Sequence, residues 1–259
     1  MNKVRFILNY ITHFFTASNT RGHGVHSPFV YNYIQYIVRE KNPYYIFQRI
    51  EQIRDQLLCD RTVIHLTDWG TGRDRKSTIA GIARRALKNR KCAQLLFRTV
   101  HYFDAVHVLE LGTSLGITTM YLAGSSNNIK CTTLEGCPSV SKIAGENFEK
   151  LNLKNIELIT GKIEETLPEY LEKNPVLDFI YMDANHRYEA TLNYFGLIAE
   201  HIHEKSVIVI DDIYWSEEMK RAWEDIKEDS RVKSSIDLFH LGILFFNPDL
   251  SKKHYKLKF

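Results

Sequence analysis

From Val106 onward, short apolar and β-branched runs alternate with segments whose apolar residues recur every three to four positions. Residues 106–111, 129–134, 156–160, 177–182 and 206–210 read as strands, and the stretches between them read as helices. Such alternation predicts an α/β fold with a Rossmann-like, doubly wound, mostly parallel sheet that binds its ligands at the carboxyl ends of the strands. After Trp223 the rhythm changes. Residues 235–239 and 243–246 flank a short turn around Gly242, which predicts a C-terminal antiparallel hairpin rather than another crossover.

The first part of the chain has a different pattern. Helical periodicity over residues 31–40, 47–58 and 79–97 predicts a mostly helical N-terminal cap, residues 1–105, ahead of a ligand-binding core, residues 106–259. Lys3 and Arg5 precede an apolar run, residues 6–15, that Asn9, Thr12 and His13 interrupt. No small-residue cleavage site follows it, so the run reads as an amphipathic helix, packed on the domain or lying on a partner, with membrane contact as the lesser alternative, and not as a secretory signal. No run approaches the roughly 20 apolar residues of a spanning helix, which argues against stable membrane insertion.

Composition narrows the partners. With 34 Lys and Arg against 31 Asp and Glu, the formal charge of +3 implies no polyanion-binding surface, and nucleic acid is not an expected partner. Cys59, Cys92, Cys131 and Cys137 lack metal-ligand spacing, and Cys131 falls within an apolar strand pattern. The chain reads as reduced, intracellular and cytoplasmic, with a homodimer as a possible assembly.

The strand over residues 106–111 runs into Gly112-Thr113-Ser114-Leu115-Gly116 and then directly into an amphipathic helix. Glycines let the backbone approach a ligand, and the helix start presents unpaired amide groups, so this is a nucleotide-type cofactor site. About 20 residues on, at the end of the next strand, Glu135 is placed to accept hydrogen bonds from a ribose diol. A nicotinamide-binding turn would read Gly-x-Gly-x-x-Gly, whereas Ser114 and Thr119 stand at its second and third glycine positions. Glu110 would repel a pyrophosphate but suits a cationic ligand. The pattern resembles motif I of the class I methyltransferases that use S-adenosylmethionine (SAM), a group in which an antiparallel hairpin closes the sheet. That resemblance covers residues 106–246. It implies that Glu110, Gly112, Thr113, Ser114, Gly116 and Glu135 hold SAM, with Gly161, Ile163 and Glu164 beside the adenine and Asp183 also near the cofactor.

Two further strands end in acids, at Tyr181-Met-Asp-Ala-Asn-His-Arg-Tyr188 and Ile210-Asp-Asp-Ile-Tyr-Trp215. Helix capping explains one acid per turn, but not the adjacent pair Asp211-Asp212. Three like charges, Asp183, Asp211 and Asp212, call for a compensating cation or protons, and hard oxygen donors suit Mg²⁺ or Ca²⁺. The layout is similar to the metal-dependent catechol O-methyltransferase group. By position, that similarity makes Asp183, Asp211 and Asp212 metal ligands, with His186 in place of the group's lysine base. The Asp-Ala-Asn-His segment also resembles bacterial class I methyltransferases in which metal use is less general.

The expected activity is SAM-dependent methyl transfer, with Asp183 and His186 catalytic, to oxygen on a small hydroxylated or aromatic metabolite. N-methylation is the alternative chemistry. A non-enzymatic SAM-sensing or partner-binding module is the alternative class. Tyr214 and Trp215 are candidates for an acceptor wall or for core packing. Two N-terminal segments invite a functional reading, Arg21 to Phe29 with His23 and His26, and the glycine turn Asp68-Trp-Gly-Thr-Gly72. The second follows a strand-like run, residues 62–66, but precedes a basic helical stretch, residues 73–91, with no acid-terminated strand at the required distance. A tight turn, or a wall carrying Arg73, Arg75 or Lys76, is expected there.

Overall fold

The computed structural model describes residues 3–67, 75–173 and 175–259. The glycine segment at residues 68–72 and Arg73 lie outside the described residues. The strands are β1 (Val63–Leu66), β2 (Arg75–Thr78), β3 (His107–Leu111), β4 (Lys130–Glu135), β5 (Ile156–Thr160), β6 (Leu177–Met182), β7 (Ile202–Asp211), β8 (Ser234–Asp237), β9 (Leu241–Phe245) and β10 (Lys253–Lys256). The chain forms two compact units, residues 42–175 and residues 1–41 with 176–259.

In the unit spanning residues 42–175, β4 pairs in parallel with β3 on one side and β5 on the other. Crossover helices Ile117–Ala123 and Pro138–Lys150 link these strands, as parallel pairing requires. One apolar cluster joins Leu115, Ile117, Met120 and Tyr121 to Phe47 and Ile50 of the helix Tyr45–Cys59 and to Phe148. β1 and β2 form a separate antiparallel pair. Residues 75–78 are therefore strand, not the helix that their basic pattern suggests. The helix begins at Ile79 because the Thr78 hydroxyl caps it, accepting from the Gly81 amide at 3.0 Å. The single helix expected over residues 79–97 is two, Ile79–Ala86 and Arg90–Tyr102. Leu87 turns to extended backbone, and the Asn89 side chain caps the second helix at the Cys92 amide, 2.9 Å away.

In the other unit, β7 pairs in parallel with β6 and antiparallel with β9, which pairs antiparallel with β8 in the expected hairpin. β10, which the pattern did not predict, adds in parallel to β8. Most pairings outside β1 and β2 are parallel, with the antiparallel ones confined to the C-terminal hairpin and its neighbour, so the Rossmann-like class holds. Gly242 has a packing reason to be glycine, since a Cβ there would lie 2.4 Å from Trp223 Cζ3. Helix α1 (Lys3–Thr16) belongs to this unit, where Phe6, Tyr10 and His13 each place a ring within 5.5 Å of that of Phe239.

Candidate active site

In residues 42–175 the chain leaves β3 at Leu111 through three left-handed residues, Gly112 (φ 96°), Ser114 (φ 49°) and Gly116 (φ 81°). The Gly112 and Thr113 amides both donate to the Leu134 carbonyl, at 2.9 and 3.2 Å, which ties the turn to the end of β4. Glu135, the last residue of β4, accepts from the Ser114 amide at 2.8 Å on one oxygen and from the Cys137 amide at 2.8 Å on the other. Burial raises its pKa, and the amide bonds from Cys137, Ser114 and Gly136 only partly oppose that. Three amide donors leave the carboxylate lone-pair capacity for a ligand hydroxyl. The expected diol clamp is thus anchored to the turn that it would work with.

Glu110 plays another part than that of an acid facing a ligand. It is fully buried, and one carboxylate oxygen accepts from the hydroxyls of Thr119 and Thr133, the latter at 2.6 Å, with Thr113 and Thr133 hydroxyls 2.6 Å apart. Glu110 therefore braces the turn against the following helix and β4. Gly116 also differs from the expected ligand approach. A Cβ there would come 2.5 Å from Phe148 Cε1 and 3.3 Å from Ala144 Cβ, so the glycine admits the helix Pro138–Lys150. Thr119, at the third-glycine position, serves as the donor to Glu110. Gly161 donates its amide to the Glu135 carbonyl at 2.9 Å, and Ile163, partly exposed, opens the helix that follows β5.

In the other unit, β6 carries Tyr181 and ends at Met182, and Asp183 follows it directly. The Tyr181 hydroxyl donates to Asp211 at 2.8 Å and lies 3.3 Å from Asp183 Oδ2. Burial first, and then the charges of Asp183 and Asp211, push its pKa well up, so it is a neutral donor. Sequence reading missed Tyr181 because it looks like one more large strand residue. Its signal was its position two before Asp183. His186 Nε2 stands 3.3 Å from Asp183 Oδ1, both side chains partly exposed. Burial by itself would lower the His186 pKa, but the hydrogen bond and charge of Asp183, with the charges of Asp211 and Asp212, hold it above the ordinary histidine value.

Asp211 is buried, whereas Asp212 is partly exposed, has φ 49°, and donates its amide to the His240 carbonyl at 2.7 Å. The structure thus joins Asp183 to His186 and to Asp211 through Tyr181. It does not gather Asp183, Asp211 and Asp212 into a ligand set, and among the described residues no group of three or more His, Cys, Asp or Glu is arranged to hold a metal ion. These donors do not fit the expected divalent cation. His23 and His26 are exposed in their loop and join no such group, while Ser27 caps the helix Pro28–Tyr33. Tyr214 is a packing residue, its ring stacked 5.0 Å from Phe239 and its hydroxyl donating to Asp237 at 2.7 Å. Trp215 is 42% exposed and stays available to a ligand.

Residues 109–213 match the family described as a methyltransferase domain. No curated protein sequence matches the chain. Similar solved structures include an O-methyltransferase from Bacillus cereus in complex with S-adenosylhomocysteine (SAH), 20% identical, with TM-score 0.57 over 83% of this chain and 95% of that one. The O-methyltransferase TomG from Streptomyces achromogenes, in complex with SAM, is 15% identical, with TM-score 0.59 over 84% and 95% of the two chains. SAH-bound PaMTH1 from Podospora anserina is 16% identical, with TM-score 0.57 over 80% and 99%. The matched segment contains Glu110, the glycine turn, Glu135, Asp183, His186 and the Asp211-Asp212 pair, so residues 109–213 are similar to a methyltransferase domain, and the solved structures share the Rossmann-like fold.

Proposed function

We infer that the protein transfers a methyl group from SAM to an oxygen of a small hydroxylated or aromatic metabolite. The observation that carries this reading is the Asp183–His186 pair within the methyltransferase domain, because it supplies a proton acceptor at the carboxyl end of a strand. When bound, SAM supplies an electrophilic methyl group on a sulfonium sulfur. Glu135 would accept hydrogen bonds from the ribose hydroxyls, Gly112 to Leu115 would hold the methionine end, and Gly161 with Ile163 would hold the adenine. Neutral His186 accepts the proton of the acceptor hydroxyl. Asp183 orients the imidazole and stabilises its protonated form, and Tyr181 holds Asp183 and Asp211 in place as a hydrogen-bond donor. A positioned base of this kind contributes about 10²- to 10⁴-fold, and aligning nucleophile and methyl group contributes more. No step is assigned to a metal ion.

The test is a transfer assay that follows SAH release over a panel of catechols, phenols, hydroxylated acids and amines. Turnover on hydroxylated compounds with none on amines is the expected result. Turnover on amines alone would replace oxygen by nitrogen as the nucleophile.

A further inference from the structure

One face of α1 is out of keeping with the rest of the molecule. At 3.6 residues per turn, Val4, Leu8, Ile11 and Phe15 fall in one column, with Ile7 and Phe14 beside it, and these side chains are 43–80% exposed. The opposite side of the same helix is anchored: His13 is buried and pairs with Asp237 at 3.0 Å, and Phe6 and Tyr10 pack edge-on against Phe239. The helix is therefore held in place with an apolar stripe turned outward. Single exposed apolar residues are ordinary, but a continuous stripe of six marks an interaction surface.

The charges around the stripe select its partner. Residues 1–39 contain no Asp or Glu, and neither do residues 250–259. These two segments meet within one unit: the Asn19 amide donates to the Lys256 carbonyl at 3.2 Å, and the Lys258 amide donates to the Thr20 hydroxyl at 2.9 Å. Lys258 Nζ lies 3.8 Å from the centre of the Phe14 ring, so a cation borders the apolar stripe directly. Arg21 and Lys253 are exposed on the same two segments, whereas Lys252 pairs with Glu228 at 3.6 Å and Arg5 of α1 pairs with Glu217 at 2.8 Å. An apolar helical face bordered by cations complements a bilayer whose headgroups are anionic and whose acyl region lies just beneath. A second copy of this chain would bring Arg21, Lys253 and Lys258 against their own counterparts, and neither segment contains an acid.

We propose that α1 and the basic C-terminal segment form a docking surface for an anionic lipid bilayer, with the apolar stripe seated at the headgroup–acyl boundary and without spanning the membrane. The surface brings the methyltransferase to the membrane and plays no part in SAM binding.

The test is co-flotation of the full chain with vesicles of phosphatidylcholine alone or mixed with phosphatidylglycerol, at low and high salt. Binding to the mixed vesicles that drops at least about tenfold at high salt, or on neutral vesicles, is expected. Leu8→Glu with Ile11→Glu should abolish it, and Arg21→Glu with Lys258→Glu should weaken it about tenfold, with circular dichroism and melting showing both variants folded. SAM affinity should be unchanged in both. Equal binding to neutral and anionic vesicles, or none to either, overturns the proposal. So does a dimer in sedimentation equilibrium that Leu8→Glu with Ile11→Glu dissociates, since a second copy would then cover the stripe.

Discussion

Both units carry carboxylates at or near the ends of parallel strands, and they satisfy them in contrasting ways. In residues 42–175, Glu110 is braced by threonine hydroxyls and Glu135 by backbone amides. Those donors cannot change charge near neutral pH, so these two carboxylates are held by partners of fixed charge. In the other unit, Asp183 faces His186 and shares Tyr181 with Asp211, so its surroundings include a group that gains and loses a proton. The contrast separates binding from proton transfer, and each change below should disturb one without the other.

The largest effect is expected at the proton acceptor. His186→Ala and Asp183→Ala should each lower kcat by about 10²- to 10⁴-fold, while SAH affinity measured by calorimetry stays within about twofold. Because the folded pKa of His186 lies above the ordinary value, the neutral base is lost as pH falls through that raised pKa. The rate should therefore rise with pH along a limb centred above the usual histidine range, and His186→Ala should flatten the limb. The ion pair contributes to stability in the opposite sense, being fully present below the unfolded pKa and lost as pH rises through the folded one.

Gly116→Ala is next and acts on the glycine turn through folding. The left-handed backbone and the overlap with Phe148 together should lower unfolding free energy by about 2–4 kcal/mol, read from urea titration. Phe148→Leu in the same chain should recover part of the loss. Glu135→Ala removes charge-assisted hydrogen bonds of about 1.5–3 kcal/mol and should weaken SAH binding at least about tenfold, with little change in the pH limb. Tyr181→Phe strips Asp211 of a donor and should destabilise the fold by about 1–3 kcal/mol. The smallest effect is expected from chelation, which should leave transfer unchanged because the three aspartates form no ligand set. Loss of transfer on chelation, with recovery in Mg²⁺, would require Asp183, Asp211 and Asp212 to rearrange around a cation.

The strands of the alternating region were legible because each is a short apolar run bounded by turn residues, and the hairpin because two such runs lie close together; its turn, expected around Gly242, falls at residues 238–240, with Gly242 inside β9 opposite Asp237. β10 was not legible, since Lys253 to Lys256 is mostly polar and pairs as a strand only through β8. The break between Ile79–Ala86 and Arg90–Tyr102 was hidden because apolar periodicity continues across Leu87, while the signal lay in the capping side chain of Asn89. At the site, residue types and their order pointed to the acids, but the sequence could not show which face Glu110 takes. Its burial among threonines depends on the helix Ile117–Ala123 and on β4, which become its neighbours only in the folded unit.

The measurement that bears most directly on this separation of binding from proton transfer is SAH calorimetry on the unmodified protein, Glu135→Ala and His186→Ala side by side. The account predicts binding to the unmodified chain, at least about tenfold weaker binding to Glu135→Ala, and unchanged binding to His186→Ala. No binding to the unmodified chain, or equal losses in the two variants, would contradict it.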